Sequence, residues 1–194
     1  MSTENQSVCA VVVAAGSSRR MGGENNLLLP LCGKPVLAHT LTAFQMCGAV
    51  RDIVLVCREQ DMEVYRTLAA ENGITKLRTL TRGGDTRTES VLAGVSAASE
   101  ACALVAVHDG ARPLVSDEVI TQAVAEAAKT GAAAPVVPVK DSIKRIENGK
   151  IAADVPRDTL AAVQTPQVFL ADLYRAALAT AGDTATVTDD NALM

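Results

Sequence analysis

A chain of 194 residues, 48% of them apolar, can build one domain with a real core, and its formal net charge of −4 argues against a general nucleic-acid binder, which would show a basic face. Phe44, Tyr65, Phe169 and Tyr174 are the whole aromatic complement, too few for single-strand stacking platforms. His39 and His108 are the only histidines, which argues against a multi-histidine zinc site.

The N-terminal "MSTENQSV" has no basic region leading into a long apolar stretch, and no apolar run approaches membrane-spanning length. Cys9, Cys32, Cys47, Cys57 and Cys102 are scattered, with no Cys-x-x-Cys pair, and are expected to be free, mostly buried thiols in a reducing cytosol. The expected location is cytoplasmic.

Val8–Ala14 is a continuous apolar run, which predicts a strand buried on both faces. Pro35 suits a first helical position, and Leu37, Leu41 and Phe44 share one face of the helix that follows. Asp52–Cys57 reads as a second buried strand. Asp61–Glu71 reads as a helix with Met62, Tyr65 and Leu68 inward and Gly73 at its C-terminal cap. Lys76–Leu80 is a short strand. "TRGGDTRTES" is a loop, capped by Asp85 or Thr86, that feeds a helix packing Val91, Leu92 and Val95. Ala103–Val107 is an apolar strand ending at "HDGARP", Ser116 caps a helix through Lys129, and Ala132–Val137 is a strand. This alternation predicts an α/β fold with a doubly wound, mostly parallel sheet.

The pattern then changes. "DSIKRIENGKIAADV" holds two short strands around Asn148-Gly149, a hairpin turn signal. A lone hairpin is marginal in water, so residues 139–157 are expected to project as an arm onto a second copy of the chain; folding back on its own sheet is the competing reading. A strand-like "LAAVQTPQVF", a helix over Leu170–Ala181 and a helix start at "TVTDDNALM" complete the chain.

Ligands of such sheets bind at the carboxyl ends of the strands, near the switch in strand order. "AAGSSRR", "RGGDTR" and "HDGARP" all follow strand ends and should converge there. The first loop fits neither the dinucleotide glycine fingerprint nor the P-loop, which disfavours a nicotinamide-dependent oxidoreductase. Ala14, Ala15 and Gly16 still let backbone N–H groups approach a phosphate, and Arg19 and Arg20 add donors; an ordinary turn with two solvated arginines is the alternative. Asp109, with Gly110 and Arg112 after it, could hold Mg²⁺ against nucleotide phosphates, or could instead cap a turn or pair with Arg112. Gly83, Gly84 and Asp85 allow close backbone approach to a flat group such as a base, with Ser90 one helical turn beyond. His108, beside a buried strand, reads as a hydrogen-bonded structural residue.

Taken together, "VVVAAGSSRRMG", "GKPVLAHTL", "RGGDTRTESVLAG", "VHDGARP", "PVKDSIKR" and "VQTPQVF" resemble, in order and over nearly the whole chain, the 2-C-methyl-D-erythritol 4-phosphate cytidylyltransferase family of the non-mevalonate isoprenoid route. Ribitol-5-phosphate cytidylyltransferases resemble the chain less well at "AAG" and "HDGARP". The resemblance implies one Rossmann-like nucleotidyltransferase domain over 1–194. It implies a Mg²⁺-dependent reaction of cytidine triphosphate (CTP) with a small sugar-alcohol phosphate, releasing pyrophosphate. It places the nucleotide against Ala14, Ala15, Gly16, Gly84, Asp85, Arg87, Ser90, Asp109 and Gly110, and the metal on Asp109. It places the second substrate against Arg112, Ser142, Arg157 and Thr165, with Arg157 reaching across a homodimer. Arg20, Asn26, Asp109 and Arg157 are the expected catalytic positions.

Two departures from the family pattern follow. Asn26 stands where the family carries a second loop lysine, and losing one such donor typically lowers a rate by a factor on the order of 10²–10³. The family's C-terminal strand, with an Asn-hydrophobic-Lys segment, and the helix after it are expected to be absent. A nucleotide-binding homologue that turns over slowly, or not at all, is therefore the alternative expectation.

Overall fold

The computed structural model describes residues 7–16, 25–180 and 190. Its frame is a six-stranded sheet. β1 (Val8–Ala14) pairs in parallel with β4 (Val50–Cys57) on one side and β6 (Leu104–Asp109) on the other, and β4 pairs in parallel with β5 (Leu77–Arg82). Beyond β6 lie β12 (Gln167–Leu170), antiparallel, and β7 (Ala132–Ala133), giving the order β5-β4-β1-β6-β12-β7. The chain moves outward from β1 through β4 to β5 and then returns to β6. The switch point therefore lies beside β1, and the loops after β1 and β6 open a crevice there.

β1 is apolar throughout because both its faces are covered. Val8, Ala10 and Val12 pack with Ile53 and Leu55 under α1 (Val36–Met46), α2 (Met62–Glu71) and α4 (Asp117–Thr130). Cys9 and Val11 pack with Val54 and Val56 under α3 (Arg87–Ala97) and α5 (Ala171–Thr180). On the second face the approach is very close: a Cβ on Gly94 of α3 would lie 2.4 Å from Val11 Cγ1 and 2.6 Å from Val56 Cγ2. All five cysteines are free thiols, four of them buried and Cys32 exposed, as the sequence suggests.

Several expected elements shift. Pro35 pairs with Pro30 in a two-residue ribbon, β2 (Pro30–Leu31) with β3 (Lys34–Pro35), and caps α1 rather than opening it. A single 3₁₀ turn, Glu59–Asp61, precedes α2, so that helix starts at Met62; Gly73, at φ 67°, follows it as expected. Leu92 is 43% exposed instead of packed, because α3 buries the face that carries Ser90, Val91, Gly94 and Val95. The single strand expected over Ala132–Val137 is two. Ala132–Ala133 belongs to the main sheet, while β8 (Val136–Pro138) pairs with β11 (Ala161–Val163); Pro135, which has no N–H to donate to a ladder, lies between them. "LAAVQTPQVF" is likewise split between β11 and β12, with a cis Thr165–Pro166 bond between them.

β9 (Ile143–Glu147) and β10 (Lys150–Val155) form the hairpin at the expected place. Asn148 and Gly149 have φ of 51° and 75°, the double positive φ that a tight I′ turn needs. The two strands make a sheet of their own, with Ile146 and Ile151 exposed. The helix start expected at "TVTDDNALM" lies outside the described residues apart from Asp190. Among the described residues, no helix is long and apolar enough to cross a membrane.

Candidate active site

The carboxyl ends of β1, β4, β5 and β6 bring three loops together. Gly110 N–H donates to Val13 O at 2.8 Å, and the buried Thr40 hydroxyl of α1 donates to Gly110 O at 2.8 Å, so the turn after β6 is fastened from two sides. Gly83 N–H donates to Cys57 O, and a Cβ on Gly83 would lie 2.5 Å from the Ala15 Cβ and 2.7 Å from Ser90 Oγ. Ala15 and the "RGG" loop are thus in contact across the crevice mouth, as the sequence pattern led us to expect. Gly16 is exposed beside them; Arg19 and Arg20 lie outside the described residues.

α3 begins with a complete capping box. Thr86 Oγ1 accepts from Glu89 N–H, and Glu89 Oε2 accepts from Thr86 N–H and Asp85 N–H. Thr86 is therefore the cap, and Asp85 stays exposed. The Glu89 carboxylate folds over Gly84, where any Cβ would fall 2.5 Å from Oε2. Ser90 is buried and its hydroxyl donates to Thr86 O at 2.9 Å.

Asp109 sits between two arginines. Arg112 Nε donates to Oδ2 at 2.9 Å, and Arg87 reaches Oδ1 at 3.3–3.4 Å. Burial pushes this carboxyl up, but the Arg112 hydrogen bond and the Arg87 charge outweigh it and hold the group below the usual carboxylate range. Arg87 is also paired on its other side, its Nη1 donating to the buried Asp190 Oδ2 at 2.7 Å. Burial disfavours its charge, yet Asp190 and Asp109 keep it firmly cationic.

His108, fully buried, sits edge-on to Phe44 with ring centroids 4.8 Å apart. Its Nε2 faces Arg112 O at 3.1 Å, and a carbonyl can only accept, so Nε2 carries the proton. Nδ1 then accepts from the Thr165 hydroxyl at 2.9 Å, and Thr165 Oγ1 in turn accepts from Asp109 N–H at 3.4 Å. Burial lowers the His108 pKa to about 4, leaving a neutral ring. Thr165 therefore meets the site through the Asp109 backbone, with its hydroxyl proton directed to His108.

Asn25 and Asn26 re-enter the described chain at the far end of the first loop. The Asn25 amide donates to the buried Tyr65 hydroxyl at 2.9 Å, and its carbonyl accepts from Leu27 N–H at 3.2 Å. Ser142 and Arg157 flank the hairpin; Arg157 Nη1 donates to Lys140 O at 2.7 Å. Among the described residues no hydrogen bond or ion pair joins Ser142 or Arg157 to Asp109.

Sequence reasoning passed over Thr40, Gln167, Tyr174 and Asp190, which support Gly110, Asp190 and Arg87. Each acts through a contact between residues far apart in the chain, and "TDDN" offers no motif to mark its second aspartate.

A mostly parallel sheet with a switch-point crevice, lined by an ionised aspartate between arginines, defines the class: a Rossmann-like α/β fold built to take a polar ligand at its carboxyl edge. Comparison with known proteins narrows it. The chain belongs to the 2-C-methyl-D-erythritol 4-phosphate cytidylyltransferase family, whose sequence model matches residues 8–194. It is 43% identical to the 2-C-methyl-D-erythritol 4-phosphate cytidylyltransferase of Dehalococcoides mccartyi over 183 residues, covering 94% of this chain and 80% of that one. It is 44% identical to the enzyme of that name from Halalkalibacterium halodurans over 186 residues, covering 95% and 81%. The crystal structure of the 4-diphosphocytidyl-2C-methyl-D-erythritol synthase of Anaerococcus prevotii superposes with a TM-score of 0.85 at 28% identity, covering 97% of this chain and 81% of that one.

Proposed function

We propose that this chain, a cytidylyltransferase by family, joins CTP to 2-C-methyl-D-erythritol 4-phosphate and releases pyrophosphate at the crevice beside β1. One observation carries the assignment of the site: Asp109, ionised and bracketed by Arg87 and Arg112, ends β6 in register with Val13 of β1, two residues before the Ala15 that meets Gly83.

The chemistry asks for little covalent participation by protein. A phosphate oxygen of the second substrate attacks the α-phosphorus of the triphosphate, the bond to the bridging oxygen breaks, and pyrophosphate leaves with that electron pair. Positioning and charge compensation supply most of the acceleration of such a step. In this reading the backbone at Ala14–Gly16, with Gly84, Asp85, Ser90 and Gly110, seats the nucleotide. Arg20, Arg87 and Asn26 face its phosphates. Arg112, Ser142, Arg157 and Thr165 orient the sugar-alcohol phosphate.

The residues present fit a magnesium ion. Asp109 is a carboxylate kept charged and about one-third exposed, and magnesium needs only one or two carboxylates when phosphate oxygens and water complete its shell. Asp109 would hold the ion, which when bound would draw charge off the triphosphate.

A homodimer through residues 139–157 belongs to the same reading. Ile146 and Ile151 expose apolar surface on a hairpin that has no third strand among the described residues, and Arg157 lies just beyond it. The free, mostly buried thiols support a cytoplasmic location.

Pyrophosphate release from CTP and 2-C-methyl-D-erythritol 4-phosphate with Mg²⁺ tests the proposal, with ribitol 5-phosphate as a parallel substrate. Release only with the first acceptor is expected; none above background at high enzyme overturns it. Asn26, uncharged at the family's lysine position, favours one second reading, a nucleotide-binding homologue with impaired turnover. Calorimetric CTP binding without product, with product restored by Asn26→Lys, would establish it, and ordinary turnover by the unmodified chain would dismiss it.

A further inference from the structure

We infer that Asp190 is a positioning residue: it anchors one edge of the Arg87 guanidinium, so that the other edge steadies Asp109 without tying it up. The second half of this statement rests on Asp109 serving the nucleotide, as proposed above.

Asp190 is 2% exposed, and a carboxylate that deep is costly unless its hydrogen bonds are met. Two elements meet them, and a third holds the backbone beside them. Arg87 of α3 donates to Oδ2 at 2.7 Å, the Tyr174 hydroxyl of α5 donates to Oδ1 at 2.8 Å, and the Asp190 N–H donates to Gln167 Oε1 of β12 at 2.9 Å. Gln167 pairs across the sheet with Val107, two residues before Asp109. Tyr174 is itself fixed, stacked on Phe169 at 4.2 Å. Asp190 is therefore held by parts of the fold that also hold β6.

The distances around Arg87 are unequal. Its Nη1 lies 2.7 Å from Asp190, while its Nε and Nη2 lie 3.4 and 3.3 Å from Asp109 Oδ1. The short bond is the anchor and the long pair is the adjustable contact. An unanchored guanidinium would close on Asp109 Oδ1 to the shorter distance that charged donors favour. Arg112 already holds Oδ2, so that would take the one oxygen left for a cation. Asp190 prevents this by taking the first claim on Arg87.

Two measurements on the free protein decide the anchoring. In wild type, the Arg87 guanidinium, assigned by difference from Arg87→Lys, should give separate Nη resonances from slowed rotation; one averaged signal overturns the inference. In urea denaturation, Asp190→Asn and Asp109→Asn should be coupled through the shared arginine, the double variant losing more than the sum of the singles. Additive losses overturn it. The positioning role is then read from calorimetric binding of Mg²⁺-CTP. Asp190→Asn, of equal size but uncharged, should weaken binding about tenfold or more. Asp190→Glu, larger but charged, should stay closer to wild type. A packing role predicts the reverse order and would overturn positioning. If wild type does not bind CTP, the functional reading falls, and the resonances and the cycle still decide the anchor. Should Asp190→Asn not fold, the wild-type resonances decide it alone.

Discussion

Acidification should cost this fold stability through one buried ring. His108 is neutral in the folded state, with its pKa lowered from 6.5 to about 4 by burial, while in the unfolded chain it takes up a proton near the ordinary value. Between those values the unfolded state holds more protons, so stability rises with pH and is lost as pH falls below the unfolded pKa. The displacement corresponds to about 3 kcal/mol in full, and about 2 kcal/mol of it falls between about pH 7 and about pH 5. Asp109 does not blur this window. Its folded pKa lies below the ordinary 3.8, so its contribution is present above that value and is lost only at more acidic pH. The assay is urea denaturation across this range for wild type and His108→Gln. Glutamine keeps a donor for Arg112 O and an acceptor for Thr165, and does not titrate. The variant should be less stable at neutral pH yet lose about 2 kcal/mol less on acidification. Parallel losses in the two proteins would refute the assignment of the slope to His108.

Three further outcomes are expected. Gly94→Ala should lower stability by about 1–3 kcal/mol by thermal melting, because the new methyl meets Val11 and Val56, and Val11→Ala in the same chain should recover part of the loss. Tyr65→Phe should cost about 1–2 kcal/mol by leaving the Asn25 amide without the phenol, and Asn25→Leu with Tyr65→Phe should lose less than the sum of the two single changes; additive losses would refute that pairing. Ile146→Lys with Ile151→Lys should shift the chain from dimer to monomer by light scattering with little change in melting temperature, and an unchanged mass would dismiss the hairpin as the dimer contact.

The sequence was most legible where one physical cause acts locally. Val8–Ala14 had to be a strand covered on both sides, and it is; Asn148-Gly149 had to turn a hairpin, and it does. Ser116 caps its helix by accepting from Val119 N–H, and Gly131 closes that helix at φ 94°. The convergence of three loops followed from parallel strands sharing one carboxyl edge. What stayed hidden depends on partners that periodicity cannot supply. Nothing local distinguishes Asp190 from Asp189, or tells that Thr165 turns its proton to His108. The break of Ala132–Val137 into two strands falls at Pro135, but which partners the halves take follows from where β11 and β12 lie, a tertiary fact.

The contact between Gly83 and Ala15 also bears on how this molecule can vary over generations. A methyl at position 83 would arrive 2.5 Å from the one already carried at position 15 and 2.7 Å from the hydroxyl of buried Ser90, so the space is closed from two sides. Changes at these three sites are therefore not independent events. A gene library randomised at codon 83 alone should return glycine in nearly every survivor, and an alanine there should be inherited only when positions 15 and 90 have both become smaller.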